Sequence, residues 1–138
     1  MINAVLKIYK TEVPVGENWS ITVPEGKLWY VVSIGAQLNK PVESASRFVS
    51  FYIVDPDGAV LMVQQTAVPQ SLPEVGYTVV SNGIPQQGDS GSCAIQFGGL
   101  PKDFPVTSGC EVVGWIDPVA EGDQWLSPTV LVYEVSVN

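Results

Sequence analysis

Trp19 to Leu38 reads WSITVPEGKLWYVVSIGAQL: a short alternating segment, a Pro-Glu-Gly-Lys turn and a long apolar run. Trp19, Ile21 and Val23 alternate with Ser20 and Thr22, the period of two expected where one strand face packs on a core and the other meets water. Pro24 presets φ for the second position of a turn, and Gly26 tolerates unusual backbone angles. From Leu28 the chain runs to Leu38 with no breaker but Gly35. Leu28, Tyr30, Val32, Ile34, Ala36 and Leu38 share one face, and Trp29, Val31, Ser33, Gly35 and Gln37 the other. Both faces are apolar near the start, which predicts a central strand covered by a second sheet or a neighbouring subunit.

Outward from this stretch the same grammar repeats. Ala4 to Lys10 reads as a strand, followed by a loop holding Pro14 and Gly16. After Leu38 a polar loop, Asn39 to Ser46, has a length suited to crossing between sheets. Arg47 to Asp55 is apolar on both faces and is expected in a sheet interior. Asp55-Pro56-Asp57-Gly58 has the residues of a type I turn, with Ala59 to Gln65 returning as the partner strand. Thr66 to Gly76 holds Pro69 and Pro73 and reads as irregular. Tyr77 to Ser81 and Ser92 to Phe97 read as strands separated by a Gln- and Gly-rich loop, and Gly98 to Thr107 as a loop. Ser108 to Asp117 sets Cys110, Val112, Gly114 and Ile116 against Glu111, Val113, Trp115 and Asp117. Thr129 to Val137 closes the chain, with Leu131, Tyr133, Val135 and Val137 on one face. The reading is about nine strands without a helix, in one domain over residues 1–138: a two-sheet antiparallel sandwich of jelly-roll type, with an immunoglobulin-like sandwich as the alternative.

Composition agrees and bounds the function. Valine occurs 23 times against eight Leu and eight Ile, a β-branched excess suited to pleated strands. Only 14% of residues are charged, against a usual ~25%, yet the net charge is -8. Six Lys and Arg in all argue against nucleic acid, whose phosphates call for a basic patch. Low charge with 46% hydrophobic residues points to apolar surface covered by a partner, hence a homo-oligomer. MINAVLKIYKTEVP has no secretory leader pattern, and no apolar run nears the ~20 residues of a spanning helix.

The chain has no histidine. Gly88-Asp89-Ser90-Gly91 reproduces the residues around the nucleophile of trypsin-like proteases, but no imidazole exists to take the serine proton. The same lack removes the usual zinc, iron and copper sites, so no cofactor is expected. Cys93 and Cys110 sit among apolar alternating neighbours, which leaves open a disulfide or two buried thiols. Paired carboxylates suffice for glycoside hydrolysis; the candidates are Asp55 with Asp57, Asp117 with Glu121 and Asp123, and Asp89, and all read first as turn formers. Calcium could use the same acids, though no full calcium-loop motif is present. Trp115 and Trp125 beside Asp117 and Asp123 are the candidate ligand or partner contact. There a ring would stack on a sugar and a carboxylate hold its hydroxyls; the alternative is that these aromatics serve the core or a subunit interface.

Val23-Pro24-Glu25-Gly26-Lys27 leading into Leu28-Trp29-Tyr30, then Ser108-Gly109-Cys110-Glu111-Val112-Val113-Gly114-Trp115, a Gly122-Asp123 turn and a closing Val130-Leu131-Val132-Tyr133-Glu134-Val135, resemble small jelly-roll proteins of tailed bacteriophage virions. In those proteins a V-P-x-G-K turn joins two early strands and the last strand ends in an aromatic-Glu pair. The resemblance covers the two ends of the chain. It implies a non-enzymatic virion component, a capsid decoration protein or a tail or fibre module, commonly trimeric and in contact with other virion proteins. A carbohydrate-binding or receptor-binding module is the alternative.

Overall fold

A computed structural model describes residues 3–39, 48–65, 75–82, 87–88, 94–100, 104–116 and 122–137. Eleven strands are found there: β1 (Val5–Lys10), β2 (Trp19–Thr22), β3 (Lys27–Asn39), β4 (Ser50–Val54), β5 (Val60–Gln65), β6 (Val75–Asn82), β7 (Gln87–Gly88), β8 (Ala94–Leu100), β9 (Pro105–Thr107), β10 (Glu111–Trp115) and β11 (Gln124–Ser136). No helix occurs among the described residues, so none is long and apolar enough to cross a membrane.

The strands form two sheets. One runs β1-β11-β3-β6-β8-β7, with β9 beside the first part of β3; the other runs β2-β10-β4-β5. Pairing is nested: β1 with β11, β2 with β10, β3 with β9, and β4 with β5 at the tip. Such nesting is what a long antiparallel ribbon gives when rolled into two facing sheets, which is the jelly roll and not the immunoglobulin arrangement. The β4–β5 tip is the turn read from the sequence: Gly58 N–H donates to the Asp55 carbonyl at 2.9 Å, and Gly58 takes φ 88°. The Asp55 carboxylate accepts from the N–H groups of Asp57 and Ala59, each at 2.9 Å.

Several strand ends are shifted from the sequence reading, most of all that of β11, which begins at Gln124 and not Thr129, and four further details differ. β6 and β8 are parallel, the one exception to antiparallel pairing among the described residues, and β7 lies between them in the sequence. β9 falls within the stretch read as a loop; Pro105 occupies the first strand position, where a missing N–H is tolerated. In the turn before β3, Pro24 is first and not second: Lys27 N–H donates to the Pro24 carbonyl at 3.2 Å, with Gly26 at φ 75° in the third position. The long strand also does not keep one phase. Ser33 faces Leu131 but Val31 faces Val132, leaving Val32 as an extra residue. This bulge flips the alternation, so Trp29 and Val31 before it and Ile34, Ala36 and Leu38 after it are all buried.

The core lies between the sheets. Trp19, Ile21 and Val23 from one layer meet Trp29, Val31, Ile34, Val130 and Val132 from the other, with Phe51, Ile53 and Val112 filling the space. Trp19 packs edge-on to Trp125, ring centres 6.3 Å apart, and tilted to Phe51 at 5.9 Å. Gly114 faces Trp19 across the β2–β10 pair, and a methyl there would sit 2.0 Å from the Trp19 Nε1.

Candidate functional site

Two of the sequence segments that carry the resemblance, residues 23–30 and 108–115, dock on each other. Val23 N–H donates to the Cys110 carbonyl at 2.8 Å and Gly109 N–H to the Val23 carbonyl at 3.1 Å, with Gly109 at φ 84°. The Ser108 hydroxyl accepts from Lys27 N–H at 3.2 Å and lies 3.1 Å from the carbonyls of Pro24 and Lys27. One serine thereby braces both turns.

Of the four aromatic and acidic candidates, the fold brings Trp125 and Asp123 inside and leaves Trp115 outside. Trp125 is 1% exposed and Asp123 fully buried, whereas Trp115 is 42% exposed. The Trp125 indole N–H donates to Asn18 Oδ1 at 3.3 Å; Ile116 N–H donates to the same oxygen at 3.1 Å, and Asn18 Nδ2 donates to the Ile116 carbonyl at 3.2 Å. A ring held this way has no face for a sugar, so Trp115 is the accessible member of the group. Asp117 and Glu121 lie outside the described residues, as do Cys93, Asp89, Ser90 and Gly91. Cys110 is a buried free thiol 3.6 Å from the Thr107 hydroxyl. Asp55 spends its carboxylate on its own turn.

A cleft of about 690 Å³ opens where the chain leaves β1, between Lys10–Val13 and Gln124–Pro128. Ser127, at φ 52°, is among its lining residues and lies at a second register shift in β11, between Leu126 and Thr129. Gln124 Nε2 is committed to the carbonyls of Val13 and Trp125, at 2.8 and 2.7 Å.

The sequence reading missed Glu134. It sits on the core side of β11 at 3% exposure, opposite Val5 of β1, and gathers partners from the two flanking strands, β1 and β3. Lys7 Nζ lies 2.8 Å from Oε1 and Lys27 Nζ 3.9 Å. Trp29 Nε1 donates to Oε2 at 2.9 Å, and the Tyr9 hydroxyl donates to the same oxygen. Burial is the largest single influence and would raise this carboxyl's pKa, but hydrogen bonds from Lys7, Tyr9 and Trp29 and the Lys7 charge together outweigh it and hold the group at about 2. In return, Glu134 raises the Lys7 pKa; burial, then Glu134, raises that of Tyr9. The signal in the sequence was the closing Tyr133-Glu134 pair, which sets a carboxylate in phase with Val130 and Val132.

On the opposite face of the same strands, the surface is apolar. The register aligns Leu6, Tyr133, Tyr30 and Pro105 in one row across β1, β11, β3 and β9, and Ile8, Leu131 and Ser33 in the next. Leu6 is 53% and Ile8 61% exposed. The outer face of the smaller sheet likewise presents Trp115 and Val63. Compared with known protein families, curated proteins and solved structures, the chain matches none.

Proposed function

We propose that this chain is a non-enzymatic assembly protein, a jelly roll that associates with copies of itself and with neighbouring proteins through its sheet surfaces. Its setting in this reading is the virion of a tailed bacteriophage, as a capsid decoration protein or a tail or fibre module. The observation that carries the reading is the ordered row of Leu6, Tyr133 and Tyr30 with Ile8 and Leu131 beside it, outward on a chain that is only 14% charged. Apolar surface laid out along strands is unfavourable in water, and burying it against another surface lowers the free energy. The buried Glu134 cluster supports this reading from beneath. It ties the edge strand to its neighbours, so the apolar row is presented on a rigid support. The virion setting is supported by the resemblance of the turn and closing-strand segments.

Light scattering over a range of protein concentrations tests the assembly reading. A multimer that persists on dilution is expected, and a strict monomer overturns it. Cofractionation with virus particles tests the setting. The exposed Trp115 ring favours one second reading, a glycan contact. Trp19, Trp29 and Trp125 are buried, so a fluorescence response to a glycan panel that disappears in Trp115→Ala would establish it.

A further inference from the structure

Association through sheets can use faces or edges, and the edges of this fold are unequal. Among the described residues the free edges belong to β1, β7 and β9 in the larger sheet and to β2 and β5 in the smaller, and β9 has three residues, the first of them Pro105. β7 has two residues and β2 four. β5 has six, but its pairing with β4 skips Leu61, a bulge of the sort that twists an edge away from further pairing. β1 keeps unbroken register with β11 over all six of its residues. Its other side pairs with nothing among the described residues, and Val5, Leu6 and Ile8 are each more than half exposed.

An exposed edge of this kind is normally guarded by charge, most often lysine. β1 carries Lys7 and Lys10, but Lys7 is turned to the Glu134 carboxylate at 2.8 Å. Its charge is partly met within the chain, which weakens the guard at the middle of the strand, although the side chain stays 45% exposed. β1 itself carries no acid; the carboxylate placed beside it, Glu134 opposite Val5, is engaged with Lys7.

We propose that β1 pairs antiparallel with β1 of a second copy about a two-fold axis at Ile8, joining the two larger sheets into one. The inference rests on the self-assembly reading and names its contact. Directly opposite residues in an antiparallel pair point to the same face, so the axis must pass through a residue and not between two. Two registers keep most of the strand paired. Centred on Lys7, the strand sets Lys7 against its own copy, a like-charge pair that disfavours the register. Centred on Ile8, it sets Ile8 against Ile8, Leu6 against Lys10 and Lys7 against Tyr9. The isoleucines then extend the outer apolar row, the Lys10 stem covers Leu6, and the Lys7–Tyr9 pairs fall on the face where each copy holds its Glu134. A contact of this kind is isologous and closes with two copies, whereas a trimer requires a heterologous one.

Single cysteines test the register in a Cys93→Ser background. Ile8→Cys is expected to give a disulfide-linked dimer on mild oxidation, because its copy lies directly opposite. Leu6→Cys and Lys10→Cys are each expected to stay uncrosslinked alone and to crosslink when mixed. As a second readout, Ile8→Lys restores an unneutralised charge at the axis and is expected to weaken the dimer about tenfold or more, without change in the circular dichroism of the fold. A multimer that is trimeric, or that neither crosslinks through Ile8→Cys nor responds to Ile8→Lys, overturns this contact and leaves the assembly reading standing. A strict monomer overturns both.

Discussion

Glu134 shows how a buried charge is tolerated in a β-sandwich core. Its two oxygens face Lys7, Lys27, Tyr9 and Trp29, so the desolvation cost is offset by charge-assisted hydrogen bonds. Glu134→Gln keeps the shape and removes the charge, and should cost about 2 kcal/mol near neutral pH. The folded carboxyl titrates at about 2, below its ordinary 4.5. Its contribution is therefore complete above pH 4.5 and is lost as pH falls toward 2. The melting-temperature gap between wild type and variant should narrow across that window. Lys7 and Tyr9 are shifted upward from 10.5 and 10.0, so the gap should also shrink at the alkaline end, above those values. Gly114 is constrained by sterics: its missing Cβ leaves room for the Trp19 ring. Gly114→Ala should destabilise by about 1–3 kcal/mol, read as a lower urea midpoint with a red-shifted tryptophan emission.

Turns in this fold act in pairs. The Pro24–Lys27 turn and the Thr107–Cys110 turn share the Ser108 hydroxyl, and Val137 N–H closes on the Gly26 carbonyl at 2.8 Å. These contacts hold together the starts of β3 and β10 and the end of β11. Ser108→Ala removes the shared group and should cost about 1 kcal/mol, with hydrogen exchange rising at Lys27 before any change at the β4–β5 hairpin. That hairpin closes its own turn through Asp55, and it meets the brace only where Pro56 packs against Gly109, a Cβ on which would sit 3.0 Å from the proline Cγ.

Nested pairing sets the order in which the molecule can form. β4 and β5 are neighbours in sequence, but β1 waits for β11, and the Tyr9–Glu134 bond spans 125 residues. Loop closure over such separations is slow, and β-sandwiches of this kind refold on the order of milliseconds to seconds. Stopped-flow tryptophan fluorescence should show refolding in that range or slower. A microsecond phase accounting for the full amplitude would contradict the nested order.

Local chemistry made the architecture readable. Alternation in Trp19 to Val23, the Asp55–Gly58 turn and the valine excess report on residues a few positions apart, and they specify strands, turns and a two-sheet sandwich without reference to the rest of the chain. The rest depended on partners far away in sequence. The phase of the long strand could not be read because one extra residue, Val32, inverts the faces, and that bulge exists only against β11. The sequence leaves Trp125 open between a core or interface role and a sugar platform, because nothing near it reveals Asn18 and Trp19 waiting on the other side. Glu134 looked like an ordinary strand acid until Lys7, Tyr9 and Trp29 converged on it. A periodicity is written in neighbouring side chains, whereas a bulge, a buried charge or a free edge is defined by what lies across the sheet, and packing alone supplies that.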